Sequence, residues 1–327
     1  MILEPIAGWE QLPPGWSHPD VSGVAVDQRD IVLLFVRGEH PVIVYDATGR
    51  FLTAWGEGVF ASPHSIRVAV NGDVWCVDNG DHTVRRFTPD GALLLTLGTP
   101  GVPSDTGAVF DEGGDFYLDQ VRRAGPFNAP TDVAVLSTGD VYVTDGYANA
   151  AVHRFRDDGE YLGSWGEPGS GLGELRIPHA IVAAPDEELL YVADRENSRI
   201  QRFTRDGELV DAWSGITRPT GMAFMQDGYL LVAELGERVG RWDWMPAVDN
   251  RTVPSRCSVL DNQGRVVERL GTADSDTPGS FFAAHAIAVD SHGDVYVGEV
   301  ARTAGALSDE PVRERRSFQK LRPVDHS

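Results

Sequence analysis

A unit of about 40 residues recurs six times along this chain, and this repeat constrains the fold more than any other feature. Each copy holds an apolar triplet, a polar Gly-Asp turn, an apolar strand ending in Asp or Glu, and two further short strands separated by Asp-Gly. Asp-Gly suits a tight hairpin because glycine accepts a positive φ. Four short strands per copy, with almost no helical periodicity, predict a β-propeller. The copies span residues 19–56, 63–98, 130–166, 178–215, 219–271 and 284–323.

The sixth copy is cut short and lacks the last of its four strands. Residues 1–12 are long enough to supply that strand, which would close the ring and remove an exposed sheet edge. The Gly-Asp-Val-Tyr-Val-x-Asp and Arg-Phe cadence of the copies resembles NHL repeats. We therefore expect an all-β fold: a six-bladed β-propeller of NHL-type repeats in one domain, residues 1–327, with the ring closed by the N-terminal strand.

Two stretches interrupt the repeat, residues 99–129 and residues 243–258. We expect both to lie between blades, where long loops either overhang a channel as lids or decorate the surface. Arg122 and Arg123, in the first stretch, are the residues there that could contact a substrate.

The charge and the composition narrow the classes of partner. A formal net charge of −21 argues against a nucleic-acid or anionic-membrane partner, because the chain would be repelled before contact. No apolar run approaches the ~18 residues of a membrane span, and the start of the chain lacks the basic and apolar regions of a signal peptide. Cys76 and Cys257 form neither a disulfide framework nor a CxxC metal site. We expect a cytoplasmic monomer without a nucleic-acid or membrane partner.

The copies differ in one informative register, at the start of their first strand. Three alternate copies hold histidine there, and the other three hold serine or threonine. In a propeller the first strands line the central channel, so alternate blades of six would present three side chains about 120° apart. Three imidazoles with open coordination positions are the donor set of a catalytic metal, chiefly zinc, with iron or another first-row metal as alternatives. The histidines are His64, His179 and His285, and the residues between them are Ser22, Thr131 and Thr220.

A capping or packing histidine before a strand is the ordinary interpretation, but it does not explain why the histidines alternate. The remaining histidines of the repeat fall in turn or outer-strand registers, and we expect them at the surface. They are His40, His82, His153 and His292.

Polar residues also recur where the second strand of each copy ends. An acid stands there in five copies, and this regularity indicates a structural role for Asp78, Asp145, Asp194, Glu234 and Glu299. Just past this register stand three residues that the other copies do not share: Arg37, Tyr147 and Arg195. We expect their side chains to rise above the histidines, and the alternatives are arginines paired with blade acids and a packed tyrosine.

Segments 21–42, 63–75, 130–149 and 177–203 make the chain resemble the peptidyl-α-hydroxyglycine α-amidating lyase family. The resemblance implies zinc on the three histidines, and Tyr147, Arg37 and Arg195 lining the site. It implies cleavage of a carbinolamide, N–CH(OH)–COO⁻, to an amide and glyoxylate. A metal acidifies the hydroxyl, a tyrosine can take its proton, and arginine can hold the carboxylate in a bidentate contact.

The chain departs from that family in several places. The family's disulfide cysteines are absent, with Ala148 after the tyrosine and Ser198 beside Asn197. Ala286 stands where the family has an aspartate that helps to bind a structural calcium, which argues against calcium here. The chain has no copper monooxygenase half, so we expect a stand-alone, bacterial-type relative. Its substrate would be a small α-hydroxy carboxylate, such as an N-acyl-α-hydroxyglycine or a ureidoglycolate-like compound.

Two other functions compete with a lyase. A metal-dependent hydrolase or lactonase would activate water and would need a catalytic carboxylate, for which Asp132 is the first-strand candidate. A non-enzymatic NHL propeller would bind another protein, but it would not need three alternating histidines. The tyrosine and the two arginines favour the lyase.

Overall fold

The computed structural model describes residues 2–108, 122–237, 253–306 and 314–324. Its strands form six antiparallel sheets of four strands each, which confirms the predicted six-bladed β-propeller. Within the described residues the one α-helix is α1, Ala301–Ala306, and none there is long and apolar enough to cross a bilayer. A single turn of 3₁₀ helix covers Arg195–Asn197.

The strands carry the following bounds in chain order: β1 Ile2–Pro5, β2 Val21–Val26, β3 Val32–Val36, β4 Val42–Tyr45, β5 Phe51–Trp55, β6 Pro63–Val68, β7 Val74–Asp78, β8 Thr83–Phe87, β9 Leu93–Leu97, β10 Pro130–Val135, β11 Asp140–Asp145, β12 Ala151–Arg156, β13 Tyr161–Trp165, β14 Pro178–Ala183, β15 Leu189–Asp194, β16 Arg199–Thr204, β17 Leu209–Trp213, β18 Pro219–Phe224, β19 Leu230–Glu234, β20 Arg256–Leu260, β21 Val266–Leu270, β22 Ala284–Val289, β23 Val295–Glu299 and β24 Phe318–Val324.

Five blades are built from four consecutive strands, beginning at β2, β6, β10, β14 and β18. The sixth blade has the order β22, β23, β24, β1. Strand β1 runs antiparallel to β24, with Ile2 opposite Val324 and Leu3 opposite Pro323. The N-terminal strand therefore completes the last blade, as the truncated sixth copy predicts.

The chain divides into two compact units of three blades each, residues 1–54 with 215–327, and residues 55–214. Each unit has its own buried apolar clusters, to which the second strands of the blades contribute most, because they are buried along nearly their whole length. In the second unit Trp75, Val77, Val133 and Val143 pack with Phe155 in one buried cluster. Fourth strands are more exposed, and β21 alternates partly buried and exposed residues along its length.

Every first strand contains a one-residue β-bulge in the same register. In β14, Pro178 pairs with Asp194 and Ala180 with Ala193, so that His179 is the extra residue of the bulged strand. A bulge redirects its side chain and is common beside functional sites. The bulged residues are Ser22, His64, Thr131, His179, Thr220 and His285.

The backbone is strained just before three of these bulges. Ala129, Ile177 and Arg218 each precede a proline and have φ values of 59°, 52° and 51°. A β-branched residue such as Ile177 rarely adopts a positive φ, so surrounding contacts must hold it there.

The long insertions enter the fold at two different points. Residues 98–129 connect β9 to β10, which belong to successive blades. Residues 235–255 connect β19 to β20, which pair within the fifth blade, so this insertion lies inside a blade. Residues 109–121 and 238–252 lie outside the described residues, and the lid role stays a prediction.

Candidate functional site

The three bulge histidines are buried and their ring nitrogens come together. His64, His179 and His285 are 1%, 1% and 5% exposed. One candidate ligand nitrogen from each lies within 4.8 Å of the other two. Three nitrogens bound to one zinc at ~2.1 Å would stand roughly 3.4 Å apart, so small side-chain movements are enough for this group to hold a metal.

Backbone carbonyls orient two of these rings. His64 donates from Nδ1 to the carbonyl of Thr131 at 2.5 Å, and His285 donates from Nδ1 to the carbonyl of Ser22 at 2.7 Å. A carbonyl can only accept, so Nδ1 carries the proton and Nε2 of the neutral ring has its lone pair available. This is the arrangement that orients metal-binding histidines in proteins.

Tyr147 joins the two histidines of the second unit. Its hydroxyl lies 3.1 Å from Nε2 of His64 and 3.1 Å from Nε2 of His179. The phenol has one hydrogen and can donate to only one of these nitrogens at a time. The tyrosine is 8% exposed, and it lies on the loop between β11 and β12.

Arg195 completes this cluster from the loop after β15. Its terminal Nη1 lies 3.4 Å from the hydroxyl of Tyr147, and its guanidinium carbon stands 5.3 Å from the centre of the tyrosine ring. Its Nε donates to Glu196 at 2.7 Å. Burial opposes the charge, but Glu196 and Tyr147 outweigh it and raise the pKa of Arg195, which keeps the guanidinium charged.

Glu196 is a residue that the sequence analysis missed. It pairs with Arg195, whereas the blade acid Asp194 pairs with Arg199 at 2.6 Å. Its only sequence signal is its place directly after the arginine. Arg195 is therefore paired with an acid, as the alternative interpretation expected, but the acid is Glu196 and not the blade acid Asp194.

Arg37 lies just after β3, in the unit of residues 1–54 and 215–327. Its Nη1 donates to the hydroxyl of Thr303 in α1 at 3.2 Å, and its backbone N–H donates to the carbonyl of Asp20. The side-chain hydroxyl of Thr303 also bonds to the carboxylate of Asp20. These contacts fix the position of Arg37, and its role in a site stays a prediction.

Asp132, the carboxylate that a hydrolase would need, is taken up by structural bonds. Arg67 donates to it from Nε at 3.1 Å and from Nη2 at 2.5 Å. The backbone N–H of Ile181 donates to the same carboxylate at 3.1 Å. Asp132 thus connects β6, β10 and β14. Its carboxylate is bonded to the guanidinium of Arg67, whereas a general base would have to bond to a water molecule.

The acids that end the second strands accept backbone N–H groups from the loops leading into the bulged strands. Asp145, for example, accepts from Asn128 at 2.9 Å, which holds the segment before Thr131. The other such bonds run to Asp78 from Ala61 and Ser62, to Asp194 from Arg176, to Glu234 from Thr217, and to Glu299 from Phe282 and Ala283.

His153 does not lie at the surface, contrary to the expectation from its register. It is fully buried, its Nε2 lies 3.2 Å from Asp145, and its ring packs edge-on against Phe127 at 5.4 Å. The same carboxylate of Asp145 also accepts from the side chain of Asn149. His153 is therefore part of the support for the loop that carries Tyr147.

Comparisons with known proteins identify the repeat and several relatives of the chain. The NHL repeat family matches residues 127–155 and 175–203. Peptidyl-alpha-hydroxyglycine alpha-amidating lyase 1 of Drosophila melanogaster is 35% identical over 168 residues, which cover 48% of this chain and 28% of that protein. Peptidylglycine alpha-amidating monooxygenase of Rattus norvegicus is 31% identical, and this chain spans only 23% of its length.

Two further similarities extend over most of the chain. A solved streptogramin B lyase structure has a TM-score of 0.57 at 16% identity, covering 94% of this chain and 95% of that one, which shows the shared fold alone. NHL repeat-containing protein 3 of Mus musculus is 30% identical over 295 residues, or 85% of this chain and 76% of that protein. The chain therefore belongs to the NHL-repeat family, together with NHL repeat-containing protein 3.

Proposed function

We propose that this protein is a metal-dependent lyase that cleaves a small carbinolamide-type α-hydroxy acid into an amide or urea and glyoxylate. The observation that carries the proposal is the tyrosine hydroxyl, 3.1 Å from Nε2 of both His64 and His179. A phenol between two potential metal ligands, with a buried arginine beside it, is suited to removing a proton from the hydroxyl of a bound substrate. The similarity to named amidating lyases supports the same chemistry.

The residues present fit a first-row divalent metal, zinc above all. His64, His179 and His285 offer three neutral nitrogens, and at least two of them are held by Nδ1–H bonds to carbonyls. When bound, such a metal supplies the Lewis acidity that makes a substrate hydroxyl easier to deprotonate. Three protein ligands leave positions for substrate, as in catalytic zinc sites.

The side chains of the chain would divide the remaining work. Tyr147 takes the proton of the substrate hydroxyl, and the electrons of that O–H bond form the carbonyl of glyoxylate. The C–N bond breaks, its electron pair goes to nitrogen, and nitrogen takes up a proton to give the amide. The proton that nitrogen takes up is the one that Tyr147 acquired, so that Tyr147 starts and ends the reaction as the phenolate.

Arg195 would hold the substrate carboxylate beside Tyr147. It is 5% exposed and charged, and a buried guanidinium attracts a carboxylate far more strongly than an exposed one does. Its Nε donates to the carboxylate of Glu196, and its terminal Nη1 lies on the side of the guanidinium that faces the hydroxyl of Tyr147. Arg37 is the second proposed clamp, on the strength of its register in the repeat.

Metal content and turnover test the proposal together. The wild type should hold about one equivalent of metal after zinc loading and dialysis, and His179→Ala should lose it. Glyoxylate release from N-acyl-α-hydroxyglycines and ureidoglycolate, read with a coupled dehydrogenase, tests the reaction. Tyr147→Phe should keep the metal and lose roughly 10²–10⁴-fold in turnover, the range for general base catalysis.

The possible outcomes separate the competing functions. A wild type without stoichiometric metal would overturn both the lyase and the hydrolase, and would favour a binding platform. Metal without glyoxylate release, but with hydrolysis of a lactone, would overturn the lyase alone. The arginine on Asp132 argues against that hydrolase.

We also propose a cytoplasmic monomer that acts on small molecules and contacts neither nucleic acid nor a membrane. The support is the net charge of −21 and two buried cysteines without a disulfide, Cys76 and Cys257. A calcium ion is not part of the proposal.

A further inference from the structure

We propose that Thr131 is a positioning residue for the histidine centre, fixing the ring of His64 with its carbonyl and the strand of His179 with its hydroxyl. The inference rests on the proposed metal site and goes beyond it, because Thr131 contacts neither substrate nor metal. Thr131 is the bulge residue of the third blade, between the two histidine blades of its unit.

The carbonyl of Thr131 sets which nitrogen of His64 is available. The Nδ1···O distance of 2.5 Å is short for an N–H···O bond, and the carbonyl can only accept. Nε2 of His64 is therefore the nitrogen without a proton, and it is the atom that faces Tyr147. Without this acceptor, the ring could take either tautomer or turn about its χ2 bond.

The hydroxyl of Thr131 acts on the neighbouring blade. Its single hydrogen has three acceptors within reach: the carbonyl of Pro178 at 2.6 Å, and the hydroxyl and carbonyl of Thr144 at 2.9 and 3.0 Å. Pro178 O is the nearest, and Pro178 immediately precedes His179. The side chain is completely buried, so water does not compete for this hydrogen.

The loop that carries Tyr147 also packs closely against the backbone of Pro178. A Cβ on Gly146, the residue before the tyrosine, would lie 2.2 Å from the carbonyl oxygen of Pro178. The carbonyl that Thr131 holds is thus packed between a metal-ligand strand and the loop of the proposed base. A shift of Pro178 would move His179 and Tyr147 relative to each other.

The same device occurs again in the other unit, where Thr220 is the bulge residue of the fifth blade. Its hydroxyl donates to the carbonyl of Ala284 at 2.9 Å, and Ala284 immediately precedes His285. Its other acceptor is the carbonyl of Ala233 in its own blade, at 3.1 Å. Two threonines in the same register, each bonded to the residue before a histidine, give the hydroxyl side chains of the third and fifth blades the same role.

The test is a set of near-isosteric substitutions. Thr131→Val removes the hydroxyl and keeps the shape and the carbonyl, whereas Thr131→Ser keeps the hydroxyl. Thr83→Val is the matched control, because Thr83 is equally buried in the same unit and its hydroxyl bonds to the carboxylate of Asp81. Affinities for Zn²⁺ and Co²⁺ are measured by chelator competition, and the visible spectrum of the Co²⁺ protein reports the ligand geometry.

We expect Thr131→Val to weaken metal binding about 10–100-fold, the usual effect of losing a bond that orients a ligand, and to change the Co²⁺ spectrum. Thr131→Ser should restore both within about threefold, and Thr83→Val should leave both unchanged even if it lowers the melting temperature. Thr220→Val should behave as Thr131→Val does.

Three results would overturn all or part of the assignment, and they differ in what else they affect. Tight wild-type binding with equal affinity and spectrum in Thr131→Val would refute the positioning role and leave the proposed function intact. No metal binding by the wild type would refute the proposed function and the positioning role together. A nitrogen NMR spectrum of the metal-free wild type with His64 protonated at Nε2 would refute the carbonyl half alone.

Discussion

At the scale of single residues, what separates these histidines from ordinary core histidines is the use of their two nitrogens. His64 donates from Nδ1 to a backbone carbonyl and has Nε2 next to the hydroxyl of Tyr147, whereas Nε2 of His153 lies next to the carboxylate of Asp145. The alternation along the repeat predicted that His64, His179 and His285 come together. It could not predict the burial of His153, because an outer-strand register does not reveal which carboxylate lies behind it.

Glu299 gives a prediction about pH. Burial is the main cause that raises its pKa to about 7, against backbone N–H bonds from Phe282 and Ala283 that lower it. A carboxyl whose folded pKa lies above its unfolded value of 4.5 stabilises the fold fully below that value. This contribution is lost as the pH rises through about 7.

Glu299→Gln, which stays neutral, should therefore lose less stability than the wild type between pH 5 and pH 8. We expect a difference of about 2–3 kcal/mol in the free energy of unfolding, measured by urea denaturation at both pH values. Glu208→Gln, at an exposed carboxylate, should follow the wild-type pH dependence. Parallel pH profiles for Glu299→Gln and the wild type would show that Glu299 ionises normally in the fold.

At the scale of elements, the site depends on the bulge in each first strand and the loop after each second strand. The sequence predicts four strands per blade, the order of the blades and the loops that carry Arg37, Tyr147 and Arg195. It does not predict the bulges, because the extra residue His179 can be recognised only once the pairing of its neighbours in β14 with β15 is known. The pair of Arg195 with Glu196 was not predicted either, because side chains of adjacent residues do not ordinarily face each other.

Gly146→Ala tests the contact between loop and strand. Its Cβ would lie 2.2 Å from the oxygen and 3.0 Å from the carbon of the Pro178 carbonyl, so that backbone must move. We expect a loss of about 1–3 kcal/mol in stability, from thermal or urea unfolding, and weaker metal binding in the same variant. Gly125→Ala is the control, because its Cβ would meet nothing within 4 Å. Equal behaviour of the two variants would contradict the close approach.

At the scale of the whole molecule, the ring is closed by a strand from the other end of the sequence. The missing strand of the sixth copy was sufficient to predict this closure, because an unpaired edge in the last blade would be a liability. Leu3 of β1 is 7% exposed and joins a buried cluster with Val295, Val297 and Leu321, so that the closing strand also contributes to the core.

Leu3→Ala should lower the free energy of unfolding by about 2–4 kcal/mol, the usual cost of truncating a buried leucine. Glu4→Ala, at the exposed neighbour on the same strand, should change it by less than about 0.5 kcal/mol. Chemical denaturation followed by tryptophan fluorescence measures both. Equal, small effects would mean that β1 adds hydrogen bonds to the last blade and little packing.

The bulge has a consequence for how such a protein can change over time. It is present in all six blades, whether the extra residue is histidine, serine or threonine. The scaffold therefore has six equivalent bulge positions, and the bulge forms whether or not the side chain at that position could bind a metal. A histidine in this register can therefore be gained or lost by a single substitution without re-pairing a strand, so that propellers with this fold need not share the proposed metal site.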